Sequence, residues 1–250
     1  MKVTVCVKRV PSTASRLKIA PDGRSIDETG VEFVLNPYDE FAVEEALRLV
    51  EKSGGGEVTV VSYGPDAVTK ELRNCLAMGA AQAIHLPADA SFKDALATAK
   101  ALVAAIQPTT PDVILFGRQA VDLDDAQVGL MVATLMKIAA LPDVVKVEAG
   151  AGSVKASREV EGAIETHELP LPCVLTANKG LNEPRLPNMK GIMAAKKKTI
   201  ATQAPAAVAN SLKLESLELP PERTGGRIVG EGAAAVPALL KILRDEAHAL

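Results

Sequence analysis

Short runs rich in Val, Ile and Leu alternate with amphipathic stretches over the first two thirds of this chain, and that alternation limits the folds open to it. Val3 to Val7, Glu57 to Tyr63, Ala83 to Leu86 and Asp112 to Gly117 read as strands. Helical patterns lie between them. Asn36-Pro37-Tyr38-Asp39 opens one, with Asn as N-cap, Pro in the first turn and Asp where a carboxylate meets free backbone donors. Phe41, Ala42, Leu47 and Val50 form its buried face, and Glu44 with Arg48 an i,i+4 pair on its surface. Further helices are expected from about Asp66 to Ala77, Lys93 to Ile106 and Asp125 to Ala140. Strand and helix in strict alternation need right-handed crossovers, so the expected class is α/β with a doubly wound, mostly parallel sheet.

The composition agrees. The chain is 48% hydrophobic but only 2% aromatic, with no Trp, so Val, Leu, Ile and Ala must fill the core, which suits helices stacked on a parallel sheet. From Val144 the pattern changes: Val144 to Val147 and Val154 to Glu159, across Ala149-Gly150-Ala151-Gly152, read as an added hairpin that Ala163 to Leu169 extends. Beyond Lys198 the chain turns Ala- and Pro-rich. The stretch from about Thr202 to Arg227 lacks a period, and a terminal helix is expected from about Ala234 to His248. This tail is too poor in apolar surface for its own core. It reads either as an arm packed on another chain or as a segment folded back on its own domain.

Charge and cysteine usage exclude several classes. With 28 basic and 31 acidic residues the net charge is −3, so no global cationic field collects nucleic acid. Cys6, Cys75 and Cys173 are isolated, without CxxC spacing, and read as buried thiols in a reducing compartment. No stretch approaches the roughly 20 apolar residues of a membrane span, and the chain is expected to be a cytoplasmic, non-membrane protein.

In an open parallel sheet, ligands bind beyond the carboxyl ends of the strands, at the point where strand order switches. The loops at those ends are Lys8 to Thr13, Asn36 to Asp39, Tyr63-Gly64-Pro65 and Gly117 to Gly129. The last leads into a helix whose first N–H groups can cradle a phosphate. Its Asp122, Asp124 and Asp125 have two readings, a Mg²⁺ site or carboxylates favoured in the first turn of a helix. Ser53-Gly54-Gly55-Gly56 precedes a strand and reads as a helix C-cap and turn. His85, His167 and His248 are scattered, without the Ser or Cys context of a triad.

A different chemistry lies in Leu181-Asn182-Glu183-Pro184-Arg185 and the following residues, Leu186, Met189, Ile192 and Met193, which end in Lys196-Lys197-Lys198. Pro184 and Pro187 keep it out of a sheet interior, its apolar residues show no period, and its end is cationic. It reads as a surface loop that touches something, with no catalytic group in it.

This segment resembles the signature of the electron transfer flavoprotein β subunit, as do Val7-Lys8-Arg9-Val10, Asn36-Pro37 with Ala42 to Ala46, Ala77 to Ala80, Gln119 to Asp122 and Arg158 to Gly162. The resemblance implies the non-enzymatic half of a heterodimer with an α subunit, an adenine-nucleotide-binding domain over residues 1–200 and a C-terminal arm over 201–250 that packs on α. Electrons would pass from flavin dehydrogenases of the acyl-CoA type to a membrane-bound quinone oxidoreductase. FAD would be held mostly by α, with Tyr38 and Glu159 near it. An AMP pocket would comprise Cys6, Asn36, Pro37, Tyr38, Asp39, Tyr63, Gly117, Arg118, Gln119, Ala120, Val121, Asp122, Leu123, Asp124, Asp125, Ala126, Gln127 and Val128. The docking loop would span 181–198, with Met189 as its apolar anchor where the family most often has Leu. Val128 stands where AMP-binding members often carry a hydroxyl, and Ala126 to Gly129 is similar to electron-bifurcating members, which hold a second FAD in place of AMP. Those members usually have Gly and Pro where this chain has Leu123 and Leu130, so the resemblance favours AMP.

Overall fold

The computed structural model describes residues 1–89, 91–221 and 225–250, so part of the expected arm, 222–224, lies outside the described residues. Contacts divide the chain into two units, Met1–Leu217 and Glu218–Leu250. In the first, the order is β1 (Lys2–Cys6), β2 (Arg9–Pro11), β3 (Phe33–Leu35), α1 (Pro37–Lys52), β4 (Glu57–Gly64), α2 (Thr69–Met78), β5 (Gln82–Pro87), α3 (Ala95–Ile106), β6 (Val113–Gly117) and α4 (Val128–Met136). β7 (Ala139–Ala149), β8 (Ser153–Val160), β9 (Ala163–Pro170), β10 (Cys173–Ala177), α5 (Met189–Lys197) and β11 (Ile200–Thr202) follow. Among the described residues of the second unit, a short 3-10 turn at Ala233–Ala235 leads into α6 (Val236–Asp245), in which Leu239 and Leu240 are exposed.

Nine strands form one sheet in the order β11-β5-β4-β1-β6-β10-β7-β8-β9. Pairings from β11 to β7 are parallel, and only β7·β8 and β8·β9 are antiparallel. Its two faces are covered by different helices. Val3 and Val5 of β1 with Val113 and Leu115 of β6 pack against α1 and α2. Cys6, Ile114 and Phe116 point the other way, onto α3 and α4. This is the period-2 alternation of a strand buried on both sides, so the doubly wound α/β reading stands.

Several expected elements shift. The helix expected from Asp125 to Ala140 is shorter at both ends. Asp124 and Ala126 have φ of 54° and 53°, which keeps the chain out of a helix until Val128, and Lys137 ends it in the left-handed region at φ 57°. Ala139 already belongs to β7. The added hairpin is part of the main sheet: the first half of β7 pairs with β10 and the second half with β8. β10, buried throughout, was not among the expected strands. The 181–198 segment is not all loop, since Met189 to Lys197 are helical with Asn188 as N-cap, its Oδ1 accepting from Gly191 N at 2.8 Å. Among the described residues, no helix is long and apolar enough to cross a membrane.

Leu175, fully buried at the centre of β10, tests this core. Leu175→Ala should lower the unfolding free energy by about 2–5 kcal/mol, read as an earlier urea midpoint with an unchanged slope. A loss below about 1 kcal/mol would contradict its burial.

Candidate functional site

The strand order reverses at β1, which sends β4 and β5 to one side and β6 and β10 to the other. A cavity of about 380 Å³ opens beyond the carboxyl ends of these strands. Cys6, Val7 and Lys8 come from β1 and its exit, Ser62 and Tyr63 from β4, and Phe116 and Gly117 from β6. The loop before α4 and the start of α3 close it.

Asp39 fastens these pieces together. It is 5% exposed, and its Oδ2 accepts from Lys8 N at 2.7 Å while Oδ1 accepts from Gly117 N at 3.1 Å and Asn36 Nδ2 at 2.8 Å. One side chain thus joins the exits of β1 and β6 to the start of α1. Gly117 is required by this approach, because a Cβ there would collide with the Asp39 carboxylate and with Tyr38. The N-cap role expected of Asn36 is not made by its side chain, which instead donates to Gln119 O at 2.9 Å and accepts from Val121 N at 3.2 Å. Burial raises the Asp39 carboxyl to about 7, against the pull of its hydrogen bonds and of Lys8. Burial, with Asp39 adding to it, pushes the Cys6 thiol well above its ordinary value, so Cys6 is a neutral wall and not a nucleophile.

Three of the four charged residues in the loop from Gly117 to Gln127 have side-chain partners. Lys8 Nζ meets both oxygens of Asp122 at 2.8 and 2.7 Å, Gln119 Nε2 donates to Asp124 at 2.7 Å, and Arg118 lies 2.8 Å from Asp143. These acids precede α4, so its first turn does not explain them, and no group of three or more metal-ligating side chains occurs among the described residues. The first bond of the helical ladder there is Met131 N to Gln127 O, so the N–H groups of Val128, Gly129 and Leu130 lack intrahelical partners.

Of the residues expected in a nucleotide pocket, Cys6, Asp39, Tyr63, Gly117, Arg118, Gln119, Ala120, Asp122, Leu123, Asp125, Ala126, Gln127 and Val128 line the cavity. Asn36, Pro37, Tyr38, Val121 and Asp124 do not line it; Asn36 holds the wall from behind. Lys8 and Arg9, from the expected strand-end loop, line it as well, whereas Ser62, Phe92, Lys93, Thr98 and Leu102 were not anticipated. The strand-end rule reaches Lys8 directly and would reach the start of α3 had the βα loop after β5 been included.

The second site is the 181–198 segment, which α1 and α2 hold in place. Arg185 bonds Glu44 through Nε at 2.8 Å and Nη2 at 3.2 Å, and Glu51 through Nη1 at 2.6 Å and Nη2 at 3.1 Å. Glu44, expected on the surface, is 2% exposed and also accepts from Arg48. Its burial would raise its pKa, but the bonds from Arg185 and Arg48 outweigh this and hold it below the usual carboxylate range. Asn182 Nδ2 reaches Phe41 O and Glu45, each at 3.0 Å. Arg73 binds the carbonyls of Ala195 and Lys198, and Lys198 Nζ donates to Ala80 O at 2.6 Å. A Cβ on Gly191 would strike Ala77 O, so α5 lies against α2 through its small residues, Gly191 and Ala195. Its large residues therefore point outward. Leu186 is 91% exposed, Met189 74% and Met193 53%, with Ile192 at the edge and Lys196 and Lys197 exposed beyond them. Leu181, Asn182, Pro184 and Arg185 are half-buried, Glu183 is exposed, and Glu159 is exposed on β8.

The profile of the electron transfer flavoprotein domain matches residues 24–208. A protein named electron transfer flavoprotein subunit beta from Syntrophomonas wolfei is 39% identical over 226 residues, 90% of this chain and 88% of its own. Its namesake from Bradyrhizobium diazoefficiens is 38% identical over 252 residues, 100% of both chains. That of Homo sapiens is 38% identical over 233 residues, 90% of this chain and 91% of its own.

The buried carboxylate gives a pH signature. Its folded pKa lies above the unfolded value, so between about pH 4 and 7 the native chain holds a proton that the unfolded chain has released, and stability falls as pH rises through that window. The cost of Asp39→Asn should therefore be larger at pH 5 than at pH 8 when unfolding midpoints are compared with the parent. A cost that grows with pH would mean that the carboxylate is stabilised in its charged form.

Proposed function

Because this chain belongs to the electron transfer flavoprotein family, as a β subunit, we propose that it serves as the docking and nucleotide-holding half of a heterodimer with an α subunit. In this reading FAD, held mostly by α, supplies the redox chemistry. Electrons arrive from flavin dehydrogenases of the acyl-CoA type and leave to a membrane quinone oxidoreductase, with the complex in the cytoplasm. Tyr38 and Glu159 border the flavin from the β side. Of residues 201–250, those after Leu217, which leave the first unit, form the arm that packs on α.

The observation that carries docking is the outward apolar surface of Leu186, Met189 and Met193, mounted on a segment fixed by Arg185 and Asn182. Large exposed hydrophobes on a rigid base suit a partner pocket, and the flexible thioether of Met189 suits several partners. The lysines beyond them favour an acidic rim on the partner. Asn182 and Arg185 contribute by holding this surface in position.

The cavity fits an adenine mononucleotide. Its volume of about 380 Å³ sits at the small end of the roughly 300–1,000 Å³ of ligand pockets, the free N–H groups of Val128, Gly129 and Leu130 suit a phosphate, and Gly117 lets backbone come close. Small volume favours AMP over a second FAD, the alternative for a bifurcating relative. No residue of this chain then needs to transfer protons or bonds.

Met189→Ala tests the docking assignment in the purified heterodimer, with an acyl-CoA-type dehydrogenase as donor. The apparent KM for the heterodimer should rise roughly tenfold, about 1.4 kcal/mol, while the flavin spectrum stays unchanged. An unchanged rate at every concentration would refute docking through Met189.

A further inference from the structure

The chain after β11 does not leave the first unit directly. Gln203 N donates to His85 O at 2.9 Å at the edge of the sheet, Arg24 Nε donates to Glu215 O at 3.1 Å, and Leu217 N donates to Gly23 O at 2.8 Å. Between these ends, residues 210–212 are fastened to the start of α3. Asn210 Nδ2 donates to Phe92 O at 2.7 Å, and its Oδ1 accepts from Asp94 N at 3.1 Å. The Asp94 carboxylate, 3% exposed as a residue, accepts from Ser211 N and from Leu212 N, the latter at 2.9 Å. Its other oxygen caps α3 through Ala97 N at 2.6 Å. Together these bonds hold the Asp94 carboxyl below its usual range, the Ala97 N–H contributing most.

The same turn is cavity wall: Phe92, Lys93, Ala95, Thr98 and Leu102 all line the nucleotide cavity. Little else holds residues 203–217, since none of them is buried and Leu212 is 67% exposed. A segment fixed by polar bonds with almost no apolar burial belongs to the least stable part of a fold, and it responds to whatever orders its anchor. We propose that residues 203–217 are a strap latched by Asp94 and Asn210 to the wall of the nucleotide cavity, so that a bound adenine nucleotide tightens the strap and an unlatched strap weakens nucleotide binding. The proposal rests on the nucleotide reading of the cavity. The two effects are the same coupling seen from its two ends and must agree in size.

Asn210→Ala removes the latch from the strap side, and Asn210 itself neither lines the cavity nor caps α3. Asp94→Asn is the second variant, because Asn keeps an oxygen for the helix cap and turns an NH2, which accepts from neither Ser211 N nor Leu212 N, toward the strap. The measurements are AMP affinity by calorimetry and amide hydrogen exchange over 203–217, on the full heterodimer stripped of bound nucleotide. In the parent, AMP should slow exchange in 203–217. Both variants should lose that protection and bind AMP more weakly, within the roughly 5- to 150-fold range of coupled sites. AMP binding that leaves strap exchange unchanged in the parent, or parent-like AMP affinity in both variants, overturns the strap while leaving the nucleotide reading intact. Absence of AMP binding to the parent overturns both.

Discussion

One buried carboxylate fixes the edge of the sheet where ligand chemistry is possible. Asp39 accepts the backbone N–H groups of Lys8 and Gly117, which are the exits of β1 and β6 on either side of the switch point. Without that bridge, two strand exits would each carry an unpaired buried N–H at the same spot, each costing about 1–3 kcal/mol. The bridge demands glycine at 117, because no Cβ fits beside the Asp39 carboxylate. It also occupies Asn36, which links Asp39 to the backbone of Gln119 and Val121 and so sets where the long loop runs. The cavity is a consequence of this knot.

The helix that begins at the knot also bases the second site. The first turn of α1 supplies Asp39, and further along the same helix Glu44, Glu45 and Glu51 receive Arg185 and Asn182. Buried acids on a helix are costly unless paired, and here the 181–185 segment supplies the partners. The segment is therefore fixed at its start by ion pairs and further on by Arg73, Lys198 and the close approach of Gly191 to Ala77. What this leaves free is a set of large apolar side chains facing out. The strand-end cavity and the apolar surface share a base and remain separate, one recessed and lined by both polar and apolar groups, the other facing outward and apolar.

The layout was legible where local rules and tertiary demands agree. Val- and Ile-rich runs gave the central strands, and the strand-end rule gave most of the cavity loop from Gly117 to Val128. It failed where a residue serves a distant partner. Asn36 has the right identity and place for an N-cap, but its amide is engaged by Asp39, Gln119 and Val121. Glu44 and Arg48 show surface spacing, yet Glu44 is buried because Arg185, about 140 residues away in sequence, covers it. α5 was unreadable as a helix because its amphipathicity is inverted: Gly191 and Ala195 face the fold, while Met189, Ile192 and Met193 face outward. The end of α4 carried no glycine signal, since Lys137 takes the left-handed position there. Leu123 and Leu130 bear on the choice between AMP and a second FAD through the family resemblance alone, because no local rule links either residue to a ligand.

What the cavity holds decides whether this subunit carries a fixed nucleotide or a second redox centre. The most direct measurement is to denature the purified heterodimer, separate the released nucleotides and count them against protein. One FAD and one AMP per heterodimer is the result expected of a docking subunit whose cavity is structural. Two FAD and no AMP would contradict it and make the cavity a redox site.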